Sequence, residues 1–416
     1  MDKRTVAVLG FGKTGQAVLE FLLKREPDAP LVLFTDGEIA DRERQREFAR
    51  RGVRFLTGAE QFAELASSRL VIMSPGFDGK SPRFDDLRRG GTEVISEIEY
   101  ASRHVKARII AVSGSNGKST TVSLIQHLLV AGGRHSHLAG NIGVPFISEV
   151  AAIAADSLVV LELSSFQLEE TVRFRPGVAV LLNITPDHLD RYPSMAEYAA
   201  AKFKLFENQK RSDCAVLNAD DPLLRESGKT GLGKTWWFSA SRVMARGACI
   251  QEHDLVLNMG KTKETVSLRN NPLRGLHNLE NIMAAALACR QVGLTAAEIE
   301  TGLAGFRGLP HRMEGAGKIG RVEFINDSKA TNIDAALKSV SSFGGDLVVI
   351  LGGKDKGSDF SALEQPLRQR ARKVLLMGQA APLIAGQLAG LGALLATVRD
   401  LEEAVARGYE LLAQSG

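Results

Sequence analysis

Cysteine is scarce in this 416-residue chain: Cys214, Cys249 and Cys289 stand far apart and form no Cys-x-x-Cys pair. That excludes a disulfide framework and a zinc knuckle, and it points to a reducing compartment. Charge of one sign is missing too. The 52 Lys and Arg residues against 48 Asp and Glu leave a formal charge of +4, and the signs are interleaved, which disfavours nucleic acid as a main partner. The densest charged stretch, Glu38 to Arg51, alternates sign at helical spacing and reads as a solvated helix face. No apolar run approaches the roughly 18 residues of a membrane span. The chain passes from Met1-Asp2-Lys3-Arg4 directly into a strand, which leaves no room for a signal peptide. The expectation is a cytoplasmic protein with no membrane span. Tandem repeats and low-complexity tracts are also absent.

What is present is a globular composition, 44% hydrophobic and 24% charged. The length exceeds one core at roughly 150 residues per domain, and three domains are predicted. From Thr5 to about Ser102, short apolar strands (Thr5 to Leu9, Leu31 to Phe34, Leu70 to Met73) alternate with helical periodicity, as parallel βαβ units do. A second series opens at Arg108 to Val112, passes through Leu158 to Leu161 and Val178 to Leu182, and reaches helices over Met195 to Asn208 and Asn278 to Val292. Short β-like pieces lie between Cys214 and Leu268. The break at Arg307-Gly308-Leu309-Pro310 interrupts helix. Strands at Val322 to Ile325, Leu347 to Leu351 and Val374 to Met377 follow it. The predicted class is α/β, with domains at 1–103, 104–308 and 309–416.

Between the strand at Arg108 and a helical run over Val122 to Val130 lies Gly114-Ser115-Asn116-Gly117-Lys118-Ser119-Thr120. Strand, glycine-rich turn and helix are the context of a phosphate loop. The glycines turn backbone N–H groups toward an anion, the helix N-terminus adds partial positive charge, Lys118 is a mobile cation, and Ser119 or Thr120 offers a hydroxyl to Mg²⁺. The match to G-x-x-x-x-G-K-[ST] is not strict, because Val112 stands at the first glycine position. An ordinary strand-to-helix turn with a surface lysine would not place hydroxyls directly after Gly-Lys. The loop predicts ATP binding and names no reaction.

A second signature, Gly10-Phe11-Gly12-Lys13-Thr14-Gly15, follows a strand and precedes a helix, with Asp36 at the end of the next strand. That is the dinucleotide fingerprint. Its physical content is a pyrophosphate at a helix N-terminus, which UDP linked to a sugar carries as NAD does. Hydride chemistry by a dinucleotide enzyme stays open on this segment alone.

Further segments follow in order: Gly140-Asn141-Ile142-Gly143, Glu162-Leu163-Ser164-Ser165-Phe166-Gln167-Leu168, Asn183-Ile184-Thr185-Pro186-Asp187-His188-Leu189-Asp190-Arg191, Asn218-Ala219-Asp220-Asp221, Leu309-Pro310-His311-Arg312 and Asn326-Asp327-Ser328-Lys329-Ala330-Thr331-Asn332. With the phosphate loop they span nearly the whole chain. Together they resemble the Mur ligases of peptidoglycan synthesis, with Ser-Ser-Phe-Gln-Leu and Asp-Ser-Lys-Ala-Thr-Asn closest to the D-glutamate-adding branch.

The resemblance implies three αβ domains: a Rossmann-like one for the UDP part of the substrate, a central phosphate-loop ATPase, and a Rossmann-like C-terminal one for the incoming amino acid. It implies an ATP-dependent carbon–nitrogen (acid–amino-acid) ligase acting on UDP-N-acetylmuramoyl-L-alanine and D-glutamate through an acyl phosphate, with two Mg²⁺ sites, working as a monomer. Family members continue beyond the point where this chain stops. The expectation is therefore a third domain short of its last strand and helix, and a non-catalytic form that still binds the UDP precursor and ATP is the alternative.

Glu162 leaves a buried parallel strand at its C-terminal end, where an acidic side chain points into the ligand crevice and can serve Mg²⁺. Asp187 and His188 follow another buried strand toward the same edge, and an imidazole there can bind metal or assist proton transfer. The other roles come from the resemblance. His188 lies near a second Mg²⁺, the acyl phosphate and the UDP substrate. Lys202 is the carbamylated lysine, a metal ligand in that form. Gly114 to Thr120 with Asn278, Asn281, Arg312 and Asp327 contact ATP. Lys13, Thr14, Asp36, Ser74, Pro75, Gly76 and Asn141 take the UDP substrate, and Lys329, Thr331 and Lys356 lie near the acyl phosphate and D-glutamate. Trp236 and Trp237 read as packing residues.

Overall fold

The computed structural model describes residues 5–188, 191–227, 231, 233–354 and 358–414. Lys356, expected near D-glutamate, lies outside them, as do Leu189 and Asp190.

The first sheet contains β1 (Val6–Leu9), β2 (Leu31–Thr35), β3 (Arg54–Thr57), β4 (Leu70–Met73) and β5 (Glu93–Ser96), all parallel in the order β3-β2-β1-β4-β5. β1 and β4 are apolar throughout and fully buried, as central parallel strands covered on both faces must be. The order reverses between β1 and β4, and a doubly wound sheet opens its ligand crevice at that switch point, outside the strands' carboxyl ends. Helix Arg42–Arg50 buries only Phe48 and leaves its charges to solvent. The strand reading did not include β3 or β5, whose four residues each, RFLT and EVIS, are too short to show a period.

The central sheet contains β6 (Arg108–Ser113), β7 (Ser136–Gly140), β8 (Leu158–Glu162), β9 (Val178–Leu181), β10 (Cys214–Asn218), β11 (Lys234–Ser239), β12 (Gly247–Gln251), β13 (Asp254–Asn258) and β14 (Lys263–Ser267). Its order is β14-β13-β12-β11-β10-β9-β6-β8-β7. It is parallel from β7 to β12, and β13 and β14 close it as an antiparallel meander. β6 lies between β8 and β9, so the loops leaving these three strands share one edge. Helices Lys118–Ala131 and Leu276–Gln291 cover one face, the second contributing an almost wholly buried run from Asn281 to Cys289. The helix expected over Met195 to Asn208 is shorter: the α-helix is Met195–Phe203, tightening to a 3₁₀ turn at Lys204–Phe206 as Leu205 and Phe206 enter the core. Trp236 is buried in β11, and Trp237 packs partly buried beside it.

In the C-terminal region β15 (Glu314–Ile319) and β16 (Val322–Asn326) form an antiparallel hairpin. The strands β17 (Leu347–Gly352), β18 (Ala371–Met377) and β19 (Leu395–Thr397) make a parallel sheet in that order. Among the described residues, no helix is long and apolar enough to cross a membrane.

Candidate active site at the shared edge of the central strands

The phosphate loop turns through two glycines at positive φ, Gly114 (+153°) and Gly117 (+86°). A side chain at Gly117 would place its Cβ 2.4 Å from Asn281 Oδ1 and 3.2 Å from the Leu182 side chain, so only glycine fits between them. Lys118 opens the following helix but is no surface lysine. Its Nζ folds back to donate to the carbonyls of Gly114 (2.8 Å) and Ser115 (2.9 Å). Lys202, 1% exposed, brings its Nζ to the same Gly114 carbonyl at 2.9 Å and lies over the Tyr198 ring. Burial lowers the proton affinity of both amines, and for Lys202 the nearby Lys118 charge adds to a large depression. Two buried amines thus converge on one carbonyl of the loop.

Glu162 ends β8 beside this loop and is 2% exposed. Its Oε1 accepts from Asn141 Nδ2 (2.7 Å), and its Oε2 is buried without a partner among the described residues. An orphaned carboxylate oxygen in a buried site is what a cation would satisfy. Gly140, at φ +106°, lets the two chain segments meet: a Cβ there would lie 2.3 Å from the Glu162 carbonyl oxygen. Beyond β9, Asp187 accepts from the His188 backbone N–H (3.0 Å), and His188, at φ +55°, lays its ring against Phe166 (4.8 Å). Among the described residues no three His, Cys, Asp or Glu side chains gather into a ready-made metal cage. A hard cation that keeps waters and takes phosphate oxygens needs only one or two carboxylates.

A cleft runs from Gly117 and Thr120 past Asn183, His277, Asn278, Glu280 and Asn281 to Arg312, Asp327 and Lys329. Arg312 Nη2 donates to Ser119 Oγ (2.9 Å), so that hydroxyl is already engaged. Asp327 accepts from Met313 N–H (3.0 Å), and its burial raises its proton affinity. Asn278 does not cap its helix. The cap position is Gly275, and Asn278 Nδ2 donates to the Arg274 carbonyl (2.7 Å) while Asn281 Nδ2 reaches Asn278 Oδ1 (3.2 Å). His277 is half-buried, and desolvation drops its pKa to about 4. Lys329 and Thr331 are exposed at the mouth.

At the first sheet, Lys13 and Thr14 start the helix after Gly12, and Gly15 packs so tightly that a Cβ there would fall 1.8 Å from the Gly10 carbonyl. Ser74 Oγ faces this turn and is buried without a partner among the described residues, with Pro75 and Gly76 following it. Asp36 is not free: Arg83 holds both its oxygens, at 2.7 and 2.9 Å, and this ion pair lowers its pKa. Arg83 itself stacks among Phe34, Phe62, Phe77 and Phe84. Sequence reasoning assigned no role to Arg83, or to Asn183, whose amide pairs with the Asn116 backbone. The quoted Asn183 motif carried a signal for the second and nothing marked the first.

Three family models divide the chain: a Mur ligase MurD-like N-terminal domain over residues 4–96, the Mur ligase middle domain over 112–289, and the Mur ligase glutamate ligase domain over 311–416. A protein of Acidobacterium capsulatum named UDP-N-acetylmuramoylalanine–D-glutamate ligase is 38% identical over 94% of this chain and 86% of its own. The chain belongs to the Mur ligase family. A Solibacter usitatus protein of the same name is 41% identical over 92% of this chain and 84% of its own. Among solved structures, the UDP-N-acetylmuramate-alanine ligase MurC of Thermotoga maritima shares the fold with a TM-score of 0.57 at 19% identity, covering 96% of this Mur ligase and 91% of that chain.

Proposed function

We propose that this Mur ligase adds D-glutamate to UDP-N-acetylmuramoyl-L-alanine at the expense of ATP, with the division at 103 and 308 separating its UDP, ATP and amino-acid regions. The observation that carries the reading is Lys118 held on the phosphate loop near the unpartnered oxygen of Glu162, with Lys202 reaching the same loop as a buried amine. A carboxylate and a triphosphate repel each other, and phosphoryl transfer between them needs fixed positive charge more than covalent help.

In the first step an oxygen of the substrate carboxylate bonds to the γ-phosphorus and the bond to ADP breaks. In the second the amine of D-glutamate bonds to the acyl carbon, phosphate leaves with the former carboxylate oxygen, and the amine loses a proton. Lys118 steadies the transferring group. Asp187 and His188 flank the reacting carboxyl, with His188 as proton acceptor. Asn278, Asn281, Arg312 and Asp327 hold the nucleotide with the loop from Gly114 to Thr120. Lys13, Thr14, Asp36, Ser74, Pro75, Gly76 and Asn141 take the UDP precursor, whose pyrophosphate belongs to the Gly10 to Gly15 turn. Lys329, Thr331 and Lys356 attract the dicarboxylate amino acid.

Glu162, Ser119, His188 and a carbamylated Lys202 would hold two magnesium ions, which when bound supply charge neutralisation at the phosphates. The depressed proton affinity of Lys202 supports that modification, since only a neutral amine adds CO₂. A monomer acting in the cytoplasm completes the reading. A non-catalytic form is not favoured, because these relatives, matched over at least 92% of this chain, carry the ligase name.

The test is ADP formation by the purified chain. It should require both UDP-N-acetylmuramoyl-L-alanine and D-glutamate. ADP release indifferent to either one would defeat the reading.

A further inference from the structure

Arg191 closes the motif that carries Asp187 and His188, and the mechanism above gives it nothing to do. Its guanidinium nevertheless reaches out of the central sheet. Nη1 donates to the Pro75 carbonyl (3.0 Å), and Nη2 donates to the Phe77 carbonyl (2.8 Å) and to Glu169 Oε2 (2.7 Å). Pro75 and Phe77 belong to the loop leaving β4, at the switch point of the first sheet. Glu169 ends helix Ser165–Glu169, which follows β8 and Glu162. The guanidinium also lies 4.0 Å over the Phe166 ring, the same ring that packs against His188. On the backbone, the N–H groups of Arg191 and Tyr192 both donate to the His188 carbonyl at 3.0 Å. Arg191 and Glu169 are 16% and 5% exposed in their side chains, so the pair is shielded from water and salt.

We propose that Arg191 is a positioning residue: its planar fork clamps the UDP-substrate loop of the first sheet to the loop bearing Asp187 and His188, fixing how the substrate carboxyl is presented to the phosphate loop. This rests on the functional reading above. The substrate must bridge the two loops, and a misplacement of about 1 Å at the reacting atoms can cost on the order of 10²-fold in rate. Two carbonyls and one carboxylate shared between the two terminal nitrogens suit a guanidinium and not an ammonium.

The experiment measures steady-state kinetics of wild type, Arg191→Ala, Arg191→Lys and Glu169→Gln, together with calorimetric titration of UDP and of ADP. For Arg191→Ala the expected result is a fall in kcat of about 10²-fold, a weaker KM for the UDP substrate, weaker UDP binding, and an unchanged KM for ATP and affinity for ADP. Arg191→Lys should recover only part of this. Glu169→Gln keeps both carbonyl contacts and should show the same split more weakly, which keeps the question answerable if the alanine variant does not fold. Equal shifts for both nucleotides, or none, would overturn the clamp. Wild-type protein that binds UDP and ADP but forms no substrate-dependent ADP would instead count against the functional reading, while the UDP titrations still decide the role of Arg191.

Discussion

Where the first sheet meets the central one, carboxylates are buried against backbone N–H groups. Where the C-terminal region meets the same central sheet, the bonds run between side chains of the phosphate loop and of the C-terminal region. On the first seam, Glu99 Oε2 accepts from the backbone of Val172, Arg173 and Phe174 at 2.7 to 3.0 Å, with Arg103 on its other oxygen. Glu97 accepts from Ile147, and Ser96 N–H donates to the Glu170 carbonyl. On the second seam, Arg312 holds Ser119, Asn332 holds Asn116 Oδ1, and Asn116 Nδ2 holds Asp334. A buried carboxylate that satisfies several backbone donors cannot leave without orphaning them, so the first seam is a fixed frame. Side chains that grip a nucleotide-binding loop can exchange one partner for another, so the second seam suits a region that rearranges as ligands arrive.

The sharpest way to break this contrast is at the site between the seams. Lys118→Ala should reduce ADP formation by about 10³-fold while leaving thermal stability close to wild type, since it removes bonds within the phosphate loop and no contact across either seam. A variant retaining more than a tenth of the activity would remove Lys118 from the phosphoryl step. Next, Glu99→Ala should cost about 3 kcal/mol in urea unfolding, because the N–H groups of Val172, Arg173 and Phe174 lose the buried carboxylate that accepts from all three. Arg312→Ala on the other seam should cost under about 1 kcal/mol. Comparable losses at the two positions would erase the distinction.

The smallest effect concerns pH. Burial raises the Glu97 carboxyl from its ordinary 4.5 to about 7 against its backbone hydrogen bonds. Between those values the folded state holds a proton that the unfolded state has released, so this group's contribution falls as pH rises from 4.5 to 7 and levels off above. Glu97→Gln should flatten the fall in melting temperature over that window. Parallel curves for the two proteins would show that Glu97 ionises without consequence.

Much of the site was legible because it is local. A strand, two glycines, a lysine and hydroxyls within seven residues define the phosphate loop, and the end of a buried strand fixes where Glu162 points. The roles of Arg83 and Arg191 were not legible. Their partners lie 47 and up to 116 residues away in sequence; nothing around Arg83 distinguishes it from a surface arginine, and the motif that ends in Arg191 does not say what its guanidinium holds. The short strands β3, β5 and β19 escaped for a related reason, since three or four residues owe their conformation to neighbours in the sheet rather than to a period of their own. The engagement of Ser119 by Arg312 is likewise a fact of tertiary placement.

Asn116 occupies a position that the phosphate-loop pattern leaves open to any residue. Here its N–H donates to Asn183 Oδ1, its Nδ2 donates to Thr185 and to Asp334, and its Oδ1 accepts from Asn332. Every polar atom of that amide is spoken for by chain segments from two distant parts of the protein. In the language of information rather than energy, a position the motif writes as x is constrained here by partners up to 218 residues downstream.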